Sequence, residues 1–212
     1  MLLPHTTIVR PEWVVVQDPL HWLTPPERLV YDSWLSPKRR AEWLAGRLAA
    51  KSLIRDTFGP DPLTFAIGRD GVAPCVLSAD APPLILSLSH SQGLGAATIS
   101  DGRKEGSAGI DVQHIRPVHP GLCARVFTLD ERRQIGGHFG AEDDPAGLLL
   151  FWALKEAAIK ARRTAWGLPL REIEVSLTDM GCAFVQMTGE HLLTAAFKRV
   201  DDWWLARAVL PI

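Results

Sequence analysis

Apolar and polar positions follow two different periods along this chain, and together they predict a mixed fold. Between residues 37 and 58 apolar side chains recur at the spacing of one helix face, whereas residues 84–89 alternate with the period of two that is typical of a strand. The predicted helices are Pro37–Phe58, about Ala146–Arg163, and one that starts at the capping box Thr128–Glu131. The predicted strands are Trp13–Val16, Leu84–Ser89, Gly95–Ser100, Ala108–Val112, Glu172–Leu177, Ala183–Met187, Thr194–Val200 and Trp203–Val209.

The order of these elements predicts two similar halves. Each half offers one principal helix followed by consecutive strands, so we expect an α+β fold with two similar lobes related by a pseudo-twofold axis. In each lobe the principal helix should pack on a small, mainly antiparallel sheet. The polar stretch Asp101–Ser107 is interpreted as a hairpin turn, and the lobes are predicted to be residues 1–105 and 106–212. No close sequence repeat supports the duplication, which is a prediction about architecture.

Composition narrows the class of protein. Of the 212 residues, 47% are hydrophobic and 22% are charged, and the net charge is −1, so no basic field indicates nucleic acid as a partner. We find no apolar run of membrane-spanning length, and the segment Met1–His5 has neither the basic nor the apolar region of a signal peptide. The three cysteines are far apart and form no C-x-x-C motif. A reduced, cytoplasmic protein is therefore expected.

Candidate chemistry is concentrated in two short segments. Gly109–Gln113 is predicted to be a strand that carries the carboxylate of Asp111, and the helix Trp152–Ala161 carries Glu156 and Lys160 on one face. Carboxylate oxygens suit a hard divalent cation, and a lysine beside them suits a phosphate. A Glu–Lys pair at this spacing is by itself a common exposed pair worth ~0.2–0.5 kcal/mol. The combination of both segments instead predicts a metal-dependent phosphate-transfer site.

The same two segments resemble the signatures of the Sfp-type 4′-phosphopantetheinyl transferases, a G-[IV]-D-[IV]-E strand and a W-x-x-K-E-x-x-x-K helix. Upstream, Ser87–Ser91 resembles the S-H-S element of that family, and Lys38–Arg47 resembles its K-R-R-x-E-F-x-x-G-R helix. These matches occur in the family's order and span residues 36 to 160, which is most of the chain.

This resemblance implies an activity and its partners. Such an enzyme transfers the 4′-phosphopantetheine arm of coenzyme A to a serine of an apo acyl or peptidyl carrier protein, depends on Mg²⁺, and releases adenosine 3′,5′-bisphosphate. Coenzyme A and the carrier protein are then the partners, with neither nucleic acid nor membrane, and the protein is expected to be a monomer. The sequence leaves open whether the carrier serves fatty-acid, polyketide or nonribosomal-peptide synthesis.

The resemblance also implies roles for individual residues. Asp111, Gln113 and Glu156 are the expected metal ligands, Glu156 is also the expected general base, and Lys160 would stabilise or protonate the leaving group. Gln113 replaces an acid of the family, so the site loses one charge, and Mn²⁺ is an alternative to Mg²⁺. The residues assigned to coenzyme A are Arg40, Arg47, Gly71, Ser89, His90, Lys155 and Lys160. The family's Gly-Lys-Pro near the adenine is represented here by residues 71–74, which lack the lysine.

The segment His114–Phe127 lies where the family docks its carrier protein. The side chains expected to meet the carrier are apolar ones for a helix face and basic ones for its acidic rim: Val118, Leu122, Val126, Phe127, Arg116 and Arg125.

Two alternative functions stay open at this point. Because of Gln113, the chain could be an inactive or weak homologue that binds coenzyme A or a carrier protein without transfer. It could also be an unrelated Mg²⁺-dependent nucleotide hydrolase that uses Asp111 and Glu156, although the S-H-S element and the arginine-bearing helix disfavour that interpretation.

Overall fold

The computed structural model describes residues 3–16, 18, 21–78, 84–163, 169–179, 181–189 and 192–212. Its helices are α1 (Pro11–Val16), α2 (Pro25–Ser33), α3 (Pro37–Phe58), α4 (Pro120–Val126), α5 (Leu129–Phe139) and α6 (Pro145–Arg162). Its strands are β1 (Thr6–Val9), β2 (Ala66–Asp70), β3 (Ala73–Leu77), β4 (Leu84–Ser91), β5 (Leu94–Asp101), β6 (Ser107–His114), β7 (Ile173–Asp179), β8 (Cys182–Met187), β9 (Leu193–Val200) and β10 (Trp203–Leu210). All strand pairs are antiparallel, and the predicted α+β class is confirmed.

The order of elements is the same in both halves of the chain: one strand, three helices and then four strands. In the second half the strands form one sheet in the order β6-β10-β9-β8-β7, and in the first half the corresponding order is β1-β5-β4 with β2-β3 as a separate hairpin. Helix α3 packs on the first set of strands and α6 on the second, each with its own hydrophobic core. The predicted pair of similar lobes, each with a principal helix on an antiparallel sheet, is therefore present.

Matching buried ion pairs support this repeat. In the first half Lys51 of α3 lies 2.7 Å from Glu27, and in the second half Lys155 of α6 lies 2.7 Å from Glu131. The two pairs have the same spacing along the chain, and both lysine side chains are fully buried. Burial of a charge is costly unless it is paired and hydrogen-bonded, so an equivalent pair in each half indicates a common structural plan.

One predicted strand is wrong. The segment Trp13–Val16 belongs to helix α1, and the first strand is β1, which pairs antiparallel with β5. The valines favour a strand, but Pro11 stands at the first helical position and Glu12 in the first turn, where both favour a helix N-terminus. In this segment the helix-start signal outweighs the β propensity of the valines.

Several short elements were not predicted from the sequence, namely α2, α4, β2 and β3. The longer elements agree with the prediction to within a few residues at each end. Helix α6 ends at Arg162, one residue before the predicted end, and Gly167, a residue type that commonly ends helices, lies outside the described residues. None of the helices in the described ranges has the length and apolar content needed to cross a membrane.

Candidate active site

Three serines of β4 connect the two halves at the place where the candidate site forms. Their hydroxyl oxygens accept hydrogen bonds from alternate backbone N–H groups of β6, because side chains on one face of a strand recur with a period of two. The pairs are Ser87 with Ile110, Ser89 with Val112, and Ser91 with His114, at 3.1, 3.2 and 3.1 Å. This ladder sets the register of β6 and hence the position of Asp111.

Gly109 allows α6 to approach β6 closely. A Cβ atom at this position would lie 2.1 Å from the carbonyl oxygen of Ala157 and 2.3 Å from the backbone nitrogen of Ala161. Neither backbone atom can move aside without distorting the helix, so a side chain here would push α6 away. The absence of a Cβ therefore brings the helix that carries Glu156 and Lys160 against the strand that carries Asp111.

Asp111 is the centre of a buried polar cluster. Its Oδ1 accepts hydrogen bonds from Lys160 Nζ at 2.6 Å and from Ser89 Oγ at 2.8 Å, and its Oδ2 accepts one from Gln113 Nε2 at 2.8 Å. Only 3% of the residue is exposed. The structure thus brings together four residues that the sequence predicted for the site, although Ser89 binds the carboxylate instead of facing the neighbouring cavity.

Glu156 faces the same cluster and holds its proton unusually tightly. Its pKa is raised to about 7, first because the carboxyl group is buried and next because the negative charge of Asp111 lies nearby. Lys160 and a hydrogen bond with Trp152 act in the opposite direction. Two carboxylates that repel each other form a place where a cation would be stabilised.

The donor set fits a hard divalent ion. Asp111, Glu156 and the amide oxygen of Gln113 are all oxygen donors, the type that Mg²⁺ and Mn²⁺ bind. Within the described residues no group of three or more His, Cys, Asp or Glu side chains is placed to hold a metal. The candidate metal position therefore has two carboxylates, and an amide stands where a third acid would complete such a group.

A cavity of about 570 Å³ opens beside this cluster and is lined by both halves. Its basic lining residues are Arg47, Arg69, His90, Lys160 and Arg163, and none of the described residues that line it is acidic. Trp34, Trp43 and several aliphatic side chains supply the apolar part of the wall. A cavity with concentrated positive charge and aromatic walls suits a ligand that has phosphates and a ring system.

Arg47 has the features expected of a residue that binds an anion. Its guanidinium lies 4.5 Å from the centre of the Trp43 ring, and its Nε is buried with no hydrogen-bond partner in the described part of the chain. Burial lowers its pKa to about 10, and the nearby positive charge of Arg69 acts in the same direction. An anionic ligand would satisfy the buried donor and neutralise both charges.

His90 also lines the cavity, and its Nδ1 lies 3.9 Å from a carboxylate oxygen of Glu42. Partial burial lowers the pKa of its imidazole, and the positive charges of Lys160 and Arg47 contribute to that shift. The ring is therefore mostly neutral at pH 7, and each of its nitrogens is available as a donor or an acceptor according to the tautomer.

Besides Ser89, three residues assigned to coenzyme A do not line the cavity. Lys155 is fully buried and donates to Glu131 and to the carbonyl oxygens of Val126 and Leu170, so its three N–H bonds are used and its predicted phosphate contact is wrong.

Arg40 and Gly71 are the other two. Arg40 donates from Nε and Nη2 to the carbonyl oxygen of Trp34, at 3.2 and 2.7 Å. These hydrogen bonds fix the backbone of Trp34, and Trp34 lines the cavity. Gly71 lies in the turn between β2 and β3, with φ of 57°, beside lining residues but not among them. Both are placed to shape the cavity wall, and neither contacts the cavity directly.

Sequence reasoning also missed functional candidates. Arg69, Arg163, Trp34 and Trp43 line the cavity, and Trp152, to which no role was assigned, interacts with Glu156. Arg69 and Arg163 belong to no recognised motif. Arg69 reaches the cavity through the pairing of β2 with β3, and Arg163 through its position at the end of α6. The position of Trp152, one helical turn before Glu156, was the available signal.

Part of the predicted carrier-docking set is buried. Val126 and Phe127 are 4% and 2% exposed and pack in the core of the second half, so they cannot meet a partner, whereas Arg116 and Arg125 are exposed.

Comparison with known proteins supports the resemblance seen in the sequence motifs. Residues 107–208, which contain Asp111, Glu156 and Lys160, match the model of the 4′-phosphopantetheinyl transferase superfamily. A curated relative, the 4′-phosphopantetheinyl transferase Svp of Streptomyces mobaraensis, is 27% identical over 175 residues, which cover 79% of this chain and 68% of the relative. These matches confirm the resemblance to the 4′-phosphopantetheinyl transferases that the motifs of this chain indicate.

Solved structures of holo-acyl-carrier-protein synthases are similar to part of this chain. A holo-(acyl-carrier-protein) synthase of Bacillus anthracis, in complex with CoA (3′,5′-ADP), is 25% identical with a TM-score of 0.42 and covers 50% of this chain and 95% of its own. The holo-[acyl-carrier-protein] synthase of Helicobacter pylori, in complex with coenzyme A, is 19% identical with a TM-score of 0.41 and covers 49% of this chain and 98% of its own. Each covers about half of this chain.

Proposed function

We propose that this transferase moves the 4′-phosphopantetheine arm of coenzyme A to the serine hydroxyl of an apo acyl or peptidyl carrier protein and releases adenosine 3′,5′-bisphosphate. The observation that carries the proposal is the position of the Asp111–Glu156–Lys160 cluster next to a cavity with basic and aromatic walls. The division of labour follows the two halves, with residues 1–105 supplying most of the coenzyme A cavity and residues 106–212 supplying the acidic cluster.

Asp111, Glu156 and the Gln113 amide oxygen are the proposed ligands of Mg²⁺, with Mn²⁺ as the alternative. A bound divalent ion supplies charge neutralisation for the diphosphate of coenzyme A. Ser89 and Lys160 hold Asp111 in place through its Oδ1. Because Gln113 donates to Oδ2 through Nε2, its Oε1 is directed elsewhere and is available as a neutral ligand.

Glu156 is the proposed general base. A carboxylate whose pKa is about 7 is partly ionised at neutral pH and basic enough to accept the proton of the carrier serine, directly or through one water. As that proton leaves, the serine oxygen attacks the β-phosphorus and the bond from this phosphorus to the oxygen bridging the two phosphates breaks. Lys160, whose ammonium lies at the cavity wall, stabilises the charge that develops on the departing bisphosphate.

The cavity accounts for the remaining part of coenzyme A. Arg47, Arg69 and His90 present positive or hydrogen-bonding groups to phosphate oxygens, and the two lining tryptophans offer flat apolar surface for the adenine. Exposed Arg116 and Arg125 remain the basic residues proposed to meet an acidic carrier protein. The protein is proposed to act as a cytoplasmic monomer, since both halves of one chain build the site.

The chain should be tested by incubation with coenzyme A, Mg²⁺ and several apo carrier proteins, followed by intact-mass measurement of each carrier. A mass gain equal to one phosphopantetheine arm supports the proposal. Absence of the gain on every carrier, in the presence of measurable coenzyme A binding, would favour the homologue that binds without transfer. Release of nucleotide without a mass gain would favour the hydrolase.

A further inference from the structure

Arg163 holds a backbone conformation that normally selects glycine. It is the residue at the C-terminal end of α6, and its φ of 56° lies in the left-handed region. The helices α3 and α5 end in the same conformation, but there the residue is Gly59 or Gly140. A side chain with a Cβ atom is strained in this region, which the described residues His5, Gln92 and Asp201 also occupy, so glycine would be the less strained residue at this helix end.

The two similar halves of the chain have different residues at the ends of their principal helices. Gly59 stands as far beyond Lys51 as Arg163 stands beyond Lys155, so the two residues occupy equivalent places in the two halves. The first half has the residue that the backbone prefers. The second half has an arginine there, whose planar guanidinium group carries five N–H donors.

The guanidinium of Arg163 crosses from the second half to the first. Nη1 donates to the carbonyl oxygen of Leu86 at 3.1 Å and Nη2 to that of Pro74 at 3.4 Å. Both acceptors are neutral carbonyl oxygens, so they orient the group without cancelling its charge. Two of its five N–H bonds are used in this way, and the group lines the cavity.

We propose that Arg163 binds a phosphate of coenzyme A beside residues 71–74, the segment that represents the family's Gly-Lys-Pro motif and has no lysine. The inference rests on the proposed function for the identity of the ligand. Val72 and Pro74 line the same part of the wall, and the contact to the Pro74 carbonyl places the guanidinium beside that motif. A planar fork that is already held by two carbonyls loses little freedom when it binds an anion.

The decisive variant is Arg163→Gly, because glycine suits the left-handed helix end and should preserve the fold. Binding of coenzyme A is measured by calorimetry without carrier protein or metal, so that the readout is independent of transfer. We expect the dissociation constant to rise about 10- to 100-fold, the range for loss of a hydrogen bond to a charged group. The midpoint of thermal unfolding should stay the same or rise.

Two controls separate this effect from a change in net charge. Arg103→Gly removes the same charge from the exposed turn between β5 and β6 and should leave the dissociation constant unchanged. Arg163→Lys keeps the charge without the planar fork and should recover part of the affinity.

Repeating the titration with 3′-dephospho-coenzyme A locates the contact. If the penalty of Arg163→Gly disappears, Arg163 binds the 3′-phosphate, and if it persists, Arg163 binds the diphosphate; both results support the proposal. A dissociation constant for Arg163→Gly within about twofold of the parent value overturns it, as does a parent protein that does not bind coenzyme A. A parent that binds coenzyme A but transfers nothing contradicts the proposed function and leaves the role of Arg163 standing.

Discussion

The two halves of this molecule use the same buried network around their principal helices. In each, a capping-box glutamate accepts a hydrogen bond from a backbone N–H of the following strand and pairs with a buried helix lysine. Each lysine then donates to two backbone carbonyl oxygens: those of Pro62 and Phe65 in the first half, and those of Val126 and Leu170 in the second. Two networks with the same parts are strong evidence that the network belongs to the fold and not to the chemistry.

The residues that follow each lysine differ, and the difference separates scaffold from site. Ser52, which is buried, stands where the second half has Glu156, and the exposed Asp56 stands where it has Lys160. The first half therefore keeps the helix, the sheet and the ion pair without the acidic cluster. Function on this fold depends on a few positions of one helix face, whereas the shared residues maintain the architecture.

The largest expected effect comes from Glu156→Gln, which removes the proposed base and a proposed metal ligand. We expect kcat/KM for transfer to a carrier protein to fall by at least about 10²–10⁴, the usual contribution of a general base. The matched change Ser52→Ala, at the equivalent place in the first half, should leave kcat/KM unchanged. Equal losses from both variants would show that the two helices do not differ in the way described.

The second test compares the two ion pairs. Lys51→Met and Lys155→Met each leave a buried carboxylate and two carbonyl oxygens without their partner, so each should lower the free energy of unfolding by about 3–5 kcal/mol in urea titration. Similar losses would confirm that the networks are equivalent. If Lys155→Met instead lost activity without losing stability, the result would support a contact between Lys155 and a phosphate, which the buried position of Lys155 argues against.

The third test uses pH. Glu156 has a pKa of about 7 in the folded protein, above its ordinary value of 4.5, so the folded state binds the proton more tightly than the unfolded state and loses stability as pH rises between these values. Glu156→Gln should therefore be more stable than the parent at pH 8 in the presence of a chelator, by up to about 3 kcal/mol, with the difference vanishing near pH 4. Urea titrations at both values of pH measure it; a constant difference would contradict the assignment.

The smallest effect is expected at the helix ends. Gly59→Arg places in the first half the residue that the second half carries, and should lower the free energy of unfolding by about 1 kcal/mol because of the left-handed conformation. The affinity of this variant for coenzyme A should not change, since Gly59 does not line the cavity that contains Arg47 and Arg163. An increase in affinity would mean that position 59 contacts the ligand after all.

The sequence predicts the parts of this molecule whose signal is local. The long helices follow from their periodicity and caps, and Asp111, Glu156, Lys160, Arg47 and His90 follow from motifs, all of which the structure places at the cluster or the cavity. Short elements such as β2 and β3 carry too few residues for a clear period, and the predicted strand at residues 13–16 failed because a helix start outweighed β propensity.

What the sequence does not predict is the direction in which a side chain points. Lys155 and Glu156 are neighbours in one motif, yet the helix directs Lys155 into the core and Glu156 toward Asp111. Arg40 and Arg47 share a face by spacing, but the carbonyl of Trp34 holds Arg40 away from the cavity. Arg163 lies outside every motif, and only the folded chain brings it to the wall that β2 and β3 form.

The role of Glu156 is tested most directly by single-turnover measurement of carrier-protein mass, with the enzyme in excess over the carrier and with coenzyme A and Mg²⁺ present. The parent and Ser52→Ala should add one phosphopantetheine arm to the carrier serine at the same rate, and Glu156→Gln should add it at least about 10²-fold more slowly, which supports Glu156 as the general base. An equal rate for Glu156→Gln, or no addition by the parent to any carrier protein, would contradict it.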